Sequence, residues 1–283
     1  CLAVCEEILQ RNLNINWTSF ARVDTISEHL LSKMKAAGCT AVSFGIESAN
    51  PAILKRIKKG ISVDQIENAI RICRRVGISP YASFILGLPG ETPQTINETK
   101  AFAAKLQQKG LAYGFHILAP FPGTEVRARS ERLGIRILTD DWSKYDANRA
   151  VVETERVSRR MLDAVVIDWE DQYNRYLGHI QKCIRNGTAT ADEAGQLNNL
   201  ENTVTLYDLM MQNHVETSGL LSRSNAGSEI SKEQGLEILI DRIVGSSDMD
   251  PNKLKVALQR VAENGNLKLI RRNGRLRWEW ANA

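Results

Sequence analysis

The chain has 283 residues, of which 43% are hydrophobic and 25% are charged, and its formal net charge is +4. This composition is ordinary for a globular protein, and the net charge is too small to identify a nucleic-acid-binding protein by itself. No run of about 18 apolar residues occurs, so no transmembrane helix is predicted. The start shows no signal-peptide pattern. We expect two domains, or one domain with appendages.

The five cysteines are Cys1, Cys5, Cys39, Cys73 and Cys183. Their odd number and wide spacing argue against a disulfide framework. Cys5 and Cys73 fall on apolar faces of predicted helices, where a buried, unreactive thiol is expected. A reducing cytoplasmic setting is the simple interpretation.

The first part of the chain alternates strands with helices. After a helix over residues 1–10, strands are predicted near residues 15–23, 40–46, 80–86 and 112–118. Helix starts are predicted at the capping boxes Thr25–Glu28 and Ser62–Gln65, at Asn50–Pro51, at Thr92–Pro93 and at Thr124, the last helix ending before Gly134. The units repeat about every 35 residues, the length of a β/α unit. The predicted fold class is α/β, a parallel sheet covered by helices.

The pattern changes after about residue 137. Residues 140–145 lie in a connecting segment, and residues 158–186 and 189–217 are predicted as long helices. A polar stretch over residues 218–228 is typical of a linker. Helices over 232–244 and 251–262 precede a hairpin, in which residues 267–271 and 276–280 flank Asn273-Gly274. Two helices and a hairpin resemble a winged-helix module. We therefore predict three regions, 1–137, 138–225 and 226–283.

Unusual polar turns follow the predicted strands. They are FGIESANP (44–51), ILGLPGET (85–92) and ILAPFPGTE (117–125). In repeating β/α folds the C-terminal strand ends form the active face, so these turns indicate a ligand site. Together with WTSFARVD (17–24) and KKGIS (58–62), their order over residues 1–137 resembles the C-terminal two-thirds of a radical S-adenosylmethionine core domain. It is most similar to the subgroup that often carries a cobalamin-binding domain upstream.

That resemblance implies a partial (β/α) barrel and a radical enzyme. Family members bind a 4Fe-4S cluster through three cysteines and cleave S-adenosylmethionine to a 5′-deoxyadenosyl radical, which abstracts a hydrogen from substrate. The protein positions the cofactor, which supplies the radical chemistry. The expected reaction is radical-based methyl transfer or rearrangement of a small molecule. The expected partners include an electron donor and no membrane.

The cysteine loop of the family is missing. Cys1 and Cys5 show its first spacing, but Ile8 occupies the third position, and a cluster needs thiolate ligands. Because the chain begins at Cys1 inside a predicted helix, we expect an upstream segment that carries the loop. The alternative is a decayed barrel that serves as a non-catalytic interaction or nucleic-acid-binding scaffold. An ordinary phosphate-binding β/α enzyme is disfavoured, because no glycine-rich phosphate loop occurs.

Carried over position by position, the resemblance predicts the cofactor-binding residues. They are Glu47 and Ser48 at the ribose, Gly87, Pro89, Gly90 and Glu91 beneath the adenine, and Leu118 and Ala119 for backbone contacts to the adenine edge. A carboxylate suits a vicinal diol, and glycine lets a backbone approach a flat ligand. The alternatives are that Glu47 caps the next helix and that GLPGE is a plain strand-to-helix turn.

Three further residues are predicted near the same edge. Arg22 is a candidate for the methionine carboxylate, since a guanidinium binds carboxylates bidentately. The alternative is an ion pair with Glu47 or Asp24. His116 and Ser43 are candidate substrate-binding residues inside the barrel, although a lone strand histidine is also typical of a core.

The C-terminal hairpin is basic. It carries Lys268, Arg271, Arg272, Arg275 and Arg277. Such a hairpin attracts phosphate groups and is a candidate nucleic-acid surface. From sequence alone we favour a solvated face over packed Trp278 and Trp280, because no matching basic helix accompanies it.

Overall fold

The computed structural model describes residues 1–221, 230–272 and 275–281, apart from the side chains of residues 192 and 196. The chain divides into two compact units, Cys1–Tyr173 and Asn174–Ala283. Among the described residues, no helix has the length and apolar character needed to cross a membrane.

The first unit alternates strands and helices, as predicted. Its strands are β1 (Trp17–Ala21), β2 (Cys39–Glu47), β3 (Ser79–Leu86), β4 (Ala112–Ile117), β5 (Ile135–Ile137) and β6 (Val152–Thr154). Its helices are α1 (Leu2–Gln10), α2 (Glu28–Ala36), α3 (Pro51–Arg56), α4 (Val63–Val76), α5 (Pro93–Gln108), α6 (Glu125–Ala128) and α7 (Arg159–Arg185), the last of which continues into the second unit.

Strands β1 to β4 form one parallel sheet in chain order. Helices α2, α4 and α5 contact β2, β3 and β4 respectively. The α/β class with a parallel sheet is therefore confirmed. A hairpin of β5 and β6 lies outside this sheet. It was not predicted, because strands of three residues are too short to show a sequence pattern.

Side chains alternate between the two faces of the sheet. The face toward the helices is apolar and fully buried, and it includes Phe44, Ile46, Phe84, Leu86 and Ile117. The other face, which we call the open face, carries mainly small or polar residues, most of them half-buried, together with the aliphatic Ile85. Phe20 lies on it opposite Ser43 and is 89% exposed. The core of this unit therefore lies on the helix side.

Most predicted helix starts are confirmed. Asn50 accepts from the amides of Ala52 and Ile53 ahead of Pro51, and Ser62–Gln65 forms a reciprocal capping box. Thr92 caps α5. The predicted capping box Thr25–Glu28 is wrong, because Ser27 caps α2 and the Thr25 hydroxyl bonds the Arg22 carbonyl.

The helix predicted from Thr124 to Gly134 is interrupted. Thr124 does cap a helix, but α6 has only four residues, and a short 3-10 turn, Glu131–Leu133, precedes Gly134. Beyond it, Tyr145, Val151, Val157 and other apolar side chains join the first core. The contact boundary lies between Tyr173 and Asn174, and the borders at 137 and 225 stay predictions.

The second unit has its own core. It contains α8 (Ala191–Met211), α9 (His214–Ser218), α10 (Lys232–Ser246), α11 (Pro251–Glu263), β7 (Leu220–Leu221), β8 (Leu267–Arg272) and β9 (Arg275–Trp280). The strands pair in the order β7-β9-β8, antiparallel throughout. The predicted linker is described only as far as residue 221, where it pairs as a strand. The predicted Asn273-Gly274 turn lies outside the described residues.

Candidate functional site

The carboxyl ends of the four parallel strands meet at one edge of the sheet. Ala21 pairs with Phe44, Glu47 with Phe84, and Leu86 with Ile117. The Leu118 amide continues the pattern by donating to the Leu86 carbonyl at 2.8 Å. The strand ends chosen from the sequence therefore lie side by side.

Glu47 is held over the open face by a lysine. Its Oε1 lies 2.7 Å from Lys59 Nζ, and both side chains are less than one-fifth exposed. A Cβ placed on Gly45 would meet the same carboxylate oxygen at 2.7 Å and Lys59 Nζ at 3.2 Å. The ion pair therefore covers Gly45, and a side chain at position 45 would displace it.

The backbone at Glu47 is unusual. Its φ is +68°, in the left-handed region that non-glycine residues seldom adopt. The register between β2 and β3 shifts between Gly45 and Glu47, which marks an irregularity at the end of β2. Such conformations persist only where the surroundings enforce them, and they concentrate at ligand sites.

Arg22 forms the ion pair with Asp24, which was one of the alternatives that the sequence left open. It pairs bidentately with Asp24, at 3.0 Å and 2.9 Å, and not with Glu47. Hydrogen bonding from Arg22 lowers the pKa of Asp24. A guanidinium nitrogen also donates to the Lys59 carbonyl at 2.8 Å. Arg22 thus fixes the segment that carries Lys59, and its predicted role at the methionine carboxylate stays a prediction.

Small residues form a row across the open face. Gly45 pairs with Ser83, and Ser83 pairs with Gly114 on the next strand. Parallel strands are about 4.8 Å apart, so this row spans roughly 10 Å. At its β2 end lies the Glu47–Lys59 pair. At its β4 end, the Tyr81 hydroxyl and His116 Nε2 lie against Gly114.

The same face brings Ser43 and His116 together with Tyr81. Ser43 pairs with Tyr81, and all three side chains are half-buried. Burial raises the pKa of Tyr81, so its hydroxyl keeps its proton at neutral pH. The predicted substrate-binding residues therefore line a polar surface, although their role is untested.

Ser48 lies away from the open face. It is fully buried, its Oγ lies 3.3 Å from the Thr99 hydroxyl of α5, and it accepts from the Asn50 amide. Thr99 also accepts from the Ala49 amide. These bonds join the end of β2 to α5, a structural role that the ribose prediction did not anticipate.

The GLPGE turn is organised around a buried carboxylate. Glu91 is 1% exposed, and its Oε2 accepts from the Gly87 amide at 2.7 Å and the Leu88 amide at 3.0 Å. Its Oε1 is buried without a hydrogen-bond partner. Burial raises the pKa of Glu91 to about 7, although the two amide bonds favour the charged form. Glu91 thus fixes the turn that follows β3.

Local packing explains the other residues of this turn. Gly87 has a φ of +85°, and a Cβ there would meet Leu162 at 3.2 Å and Val152 at 3.4 Å. Gly90 has a φ of +84° and lies against the Arg56 side chain, while Pro89 is buried. If these three residues contact adenine, as predicted, they do so through backbone atoms. That contact stays a prediction.

The loop after β4 closes one side of this edge. Leu118 and Ala119 pack against the core, and Glu125 reaches back to Lys58 at 3.5 Å. The Ile117 amide donates to the Ala147 carbonyl, which ties the following segment to β4. The adenine contacts predicted for Leu118 and Ala119 are untested, but both residues lie at the shared edge.

Sequence reasoning missed three residues of this surface, Lys59, Tyr81 and Ser83. Lys59 lies twelve residues beyond Glu47, so their contact is visible only in the fold. Tyr81 and Ser83 occupy alternate positions of β3, and the period of two along that strand was the signal that could have identified them.

The described residues do not fit an iron–sulfur cluster. All five cysteines are free, and Cys5, Cys39 and Cys73 are buried. No group of three or more histidine, cysteine, aspartate or glutamate side chains in the described part of the chain could hold a metal ion.

Comparison with known proteins places the first unit in context. Residues 2–103 match the family model of the Radical SAM superfamily. The chain is 36% identical over 165 residues to an uncharacterized methyltransferase of Pyrococcus horikoshii, covering 56% of this chain and 35% of that protein. It is 29% identical over 168 residues to the anaerobic magnesium-protoporphyrin IX monomethyl ester cyclase of Rubrivivax gelatinosus, covering 58% and 29%.

A solved structure is also similar. It is that of TsrM from Kitasatospora setae, described as a radical S-adenosylmethionine methyltransferase with cobalamin and a 4Fe-4S cluster bound. Its TM-score is 0.43 at 24% identity, over 50% of this chain and 28% of that one. The chain thus spans about a third of the length of these proteins.

Proposed function

We propose, since residues 2–103 of this chain belong to the Radical SAM superfamily, that the open face of the sheet binds the adenosyl group of S-adenosylmethionine. The observation that carries this proposal is the Glu47–Lys59 ion pair, held over Gly45 at the carboxyl edge of the sheet. The half-buried row of small residues beside this pair leaves space for a ligand, and the charged pair offers it polar partners.

The side chains of this surface match the ligand in chemistry. The Glu47 carboxylate accepts hydrogen bonds from the ribose hydroxyls. The Lys59 ammonium lies beside it and binds the methionine carboxylate, while the Arg22–Asp24 pair holds the Lys59 backbone in place. Ser83 lies between the two ends of the row and leaves room for the ligand. When bound, S-adenosylmethionine supplies the methyl or adenosyl group for the reaction.

The complete protein is proposed to be a radical enzyme. The relatives include proteins named as methyltransferases and a cyclase, which supports methyl transfer or rearrangement of a small molecule. The described residues are given no cluster-ligand role in this proposal. A cobalamin cofactor, an electron donor and a cytoplasmic location remain proposals from the resemblance. The decayed scaffold is disfavoured, because the relatives that the chain matches are named as enzymes.

The domain architecture is proposed in finer detail. The first unit is a partial barrel of the radical S-adenosylmethionine type, supported by the parallel order of β1 to β4. Residues 226–283 are proposed as a winged-helix-like module, supported by helices α10 and α11 and the β8–β9 hairpin. Strand β7 pairs with β9 from outside this range. The division at 137 and 225 stays a prediction beside the observed contact boundary.

The proposal is tested by ligand binding, which requires no turnover. S-adenosylhomocysteine is titrated into the 283-residue chain by calorimetry, with Glu47→Gln and Lys59→Met as variants. A hydrogen bond to a charged group contributes about 1.5–3 kcal/mol, so each variant should weaken binding by about tenfold or more.

The matched control is Lys58→Met. Lys58 is adjacent to Lys59, but its side chain is 79% exposed and pairs with Glu125. The Lys58→Met substitution removes the same charge as Lys59→Met and should leave the affinity for S-adenosylhomocysteine unchanged. Absence of binding by the wild-type chain at millimolar ligand, or equal affinity of all three variants, would remove the site.

A further inference from the structure

The two faces of the C-terminal hairpin differ in composition. On the inner face Leu267 pairs with Trp280 and Leu269 with Trp278. Trp278 is fully buried, and its indole N–H donates to the Gly235 carbonyl of α10 at 2.9 Å. The inner face therefore packs on the core of the second unit, and the outer face points away from it.

The register places the basic side chains together on that outer face. Its rungs are Lys268 opposite Glu279, Ile270 opposite Arg277, and Arg272 opposite Arg275. Four of these six positions are basic and one is acidic. The sequence alone did not show this, because the five basic residues of the hairpin could have been divided between its faces. Only Arg271 lies on the other face.

The basic residues are poorly neutralised within the hairpin. Arg272 and Arg277 share one carboxylate, that of Glu279, at 3.7 Å and 3.8 Å. Arg272 is three-quarters exposed and faces Arg275 directly across the strands. Like charges on directly opposed positions destabilise a hairpin. An anionic partner would remove that repulsion.

We propose that the outer face of β8 and β9 binds the phosphate backbone of a nucleic acid. Arginine pairs with phosphate bidentately, and phosphate contacts supply most of the affinity of a basic surface for a duplex. A membrane surface fits less well, because interfacial binding uses exposed aromatic or aliphatic anchors. Among the described residues of the three strands, the exposed large hydrophobic side chains are limited to Leu220 of β7, which pairs with Arg277. This proposal does not rest on the adenosyl site.

The test measures binding and its salt dependence with the whole 283-residue chain. Fluorescence polarisation follows labelled duplex DNA and, in a second arm, labelled duplex RNA of the same sequence, from about 50 to about 200 mM salt. With three to four phosphates neutralised, the logarithm of the affinity should fall with the logarithm of salt with a slope of about −3. Preference between the arms identifies the nucleic acid.

The variant is the pair Arg272→Gln and Arg275→Gln, and the control is the pair Arg71→Gln and Arg132→Gln. Both pairs remove two positive charges from exposed positions, so a nonspecific charge effect would appear equally in both. The hairpin pair should weaken binding by at least about tenfold and reduce the slope by about two.

Folding of the hairpin variant is checked by its thermal unfolding, which should not worsen because a repulsive pair is removed. Absence of binding at the lower salt concentration, or equal losses in the two variant pairs, overturns the proposal. So does binding to anionic phosphatidylserine vesicles without binding to either duplex.

Discussion

The two faces of the parallel sheet are built from the same strands, but one forms the core and the other forms a polar surface. On the helix side, Phe44, Phe84 and Leu86 are fully buried in the core. On the open face, Gly45, Tyr81 and Ser83 alternate with them and stay half-buried. The period of two along a strand lets one segment stabilise the fold with one set of residues and form a polar site with the other.

The largest expected effect is a loss of stability when a core residue on the helix side of the sheet is truncated. Phe84→Ala removes an aromatic ring whose centroid lies 5.7 Å from that of Phe115 and 6.2 Å from that of Tyr113. The cavity should lower the free energy of unfolding by about 3–5 kcal/mol. Urea denaturation followed by circular dichroism measures this. Ser83→Ala, one residue away on the open face, should change it by less than about 0.5 kcal/mol. Equal losses would contradict the division between the faces.

The next effect concerns the buried carboxyl at the end of β3. In the folded protein the pKa of Glu91 is raised from 4.5 to about 7 by burial. The folded state therefore keeps a proton that the unfolded state releases, and stability falls as the pH rises from about 5 to about 8. The fall should be on the order of 2–3 kcal/mol.

Glu91→Gln should abolish this fall while preserving the turn. The amide oxygen can still accept from the Gly87 and Leu88 amides, and no charge is buried. Thermal or urea unfolding across that pH range measures the difference. Glu6→Gln on the exposed side of α1 is the control and should keep the wild-type pH dependence. A flat wild-type profile would show that Glu91 ionises as an ordinary carboxyl.

Replacing Gly45 should have the smallest effect on stability, although it should clearly weaken ligand binding. Gly45→Ala would push against the Glu47 and Lys59 side chains, which are flexible, so stability should change by less than about 1 kcal/mol. Displacing the ion pair should weaken S-adenosylhomocysteine binding by about tenfold. Calorimetry and urea denaturation of the same sample separate the two effects. Unchanged affinity would show that the open face does not depend on that ion pair.

Local signals predicted much of the fold. The caps at Asn50, Ser62 and Thr92 are correct, because each depends on residues within three positions of the helix start. The cap at Thr25 is wrong, because Ser27 competes for the same role two residues later. The break after α6 and the short β5–β6 hairpin depend on tertiary contacts that a local pattern does not contain.

The candidate site was only half visible in the sequence. Glu47 and His116 could be placed because they lie at or near strand ends. Lys59 and Tyr81 could not, because their roles depend on how a loop folds back and on the register of neighbouring strands. For a similar reason the sequence did not reveal that Val151 and Val157, which lie in a segment without periodicity, join the core of the first unit.

The left-handed backbone at Glu47 has a consequence for laboratory evolution. Glycine or asparagine would relax that conformation, which costs an L-residue with a longer side chain roughly 1–2 kcal/mol. Selection for heat resistance alone should therefore accumulate replacements at position 47 that discard the carboxylate. Thermal stability and ligand recognition therefore favour different residues at position 47.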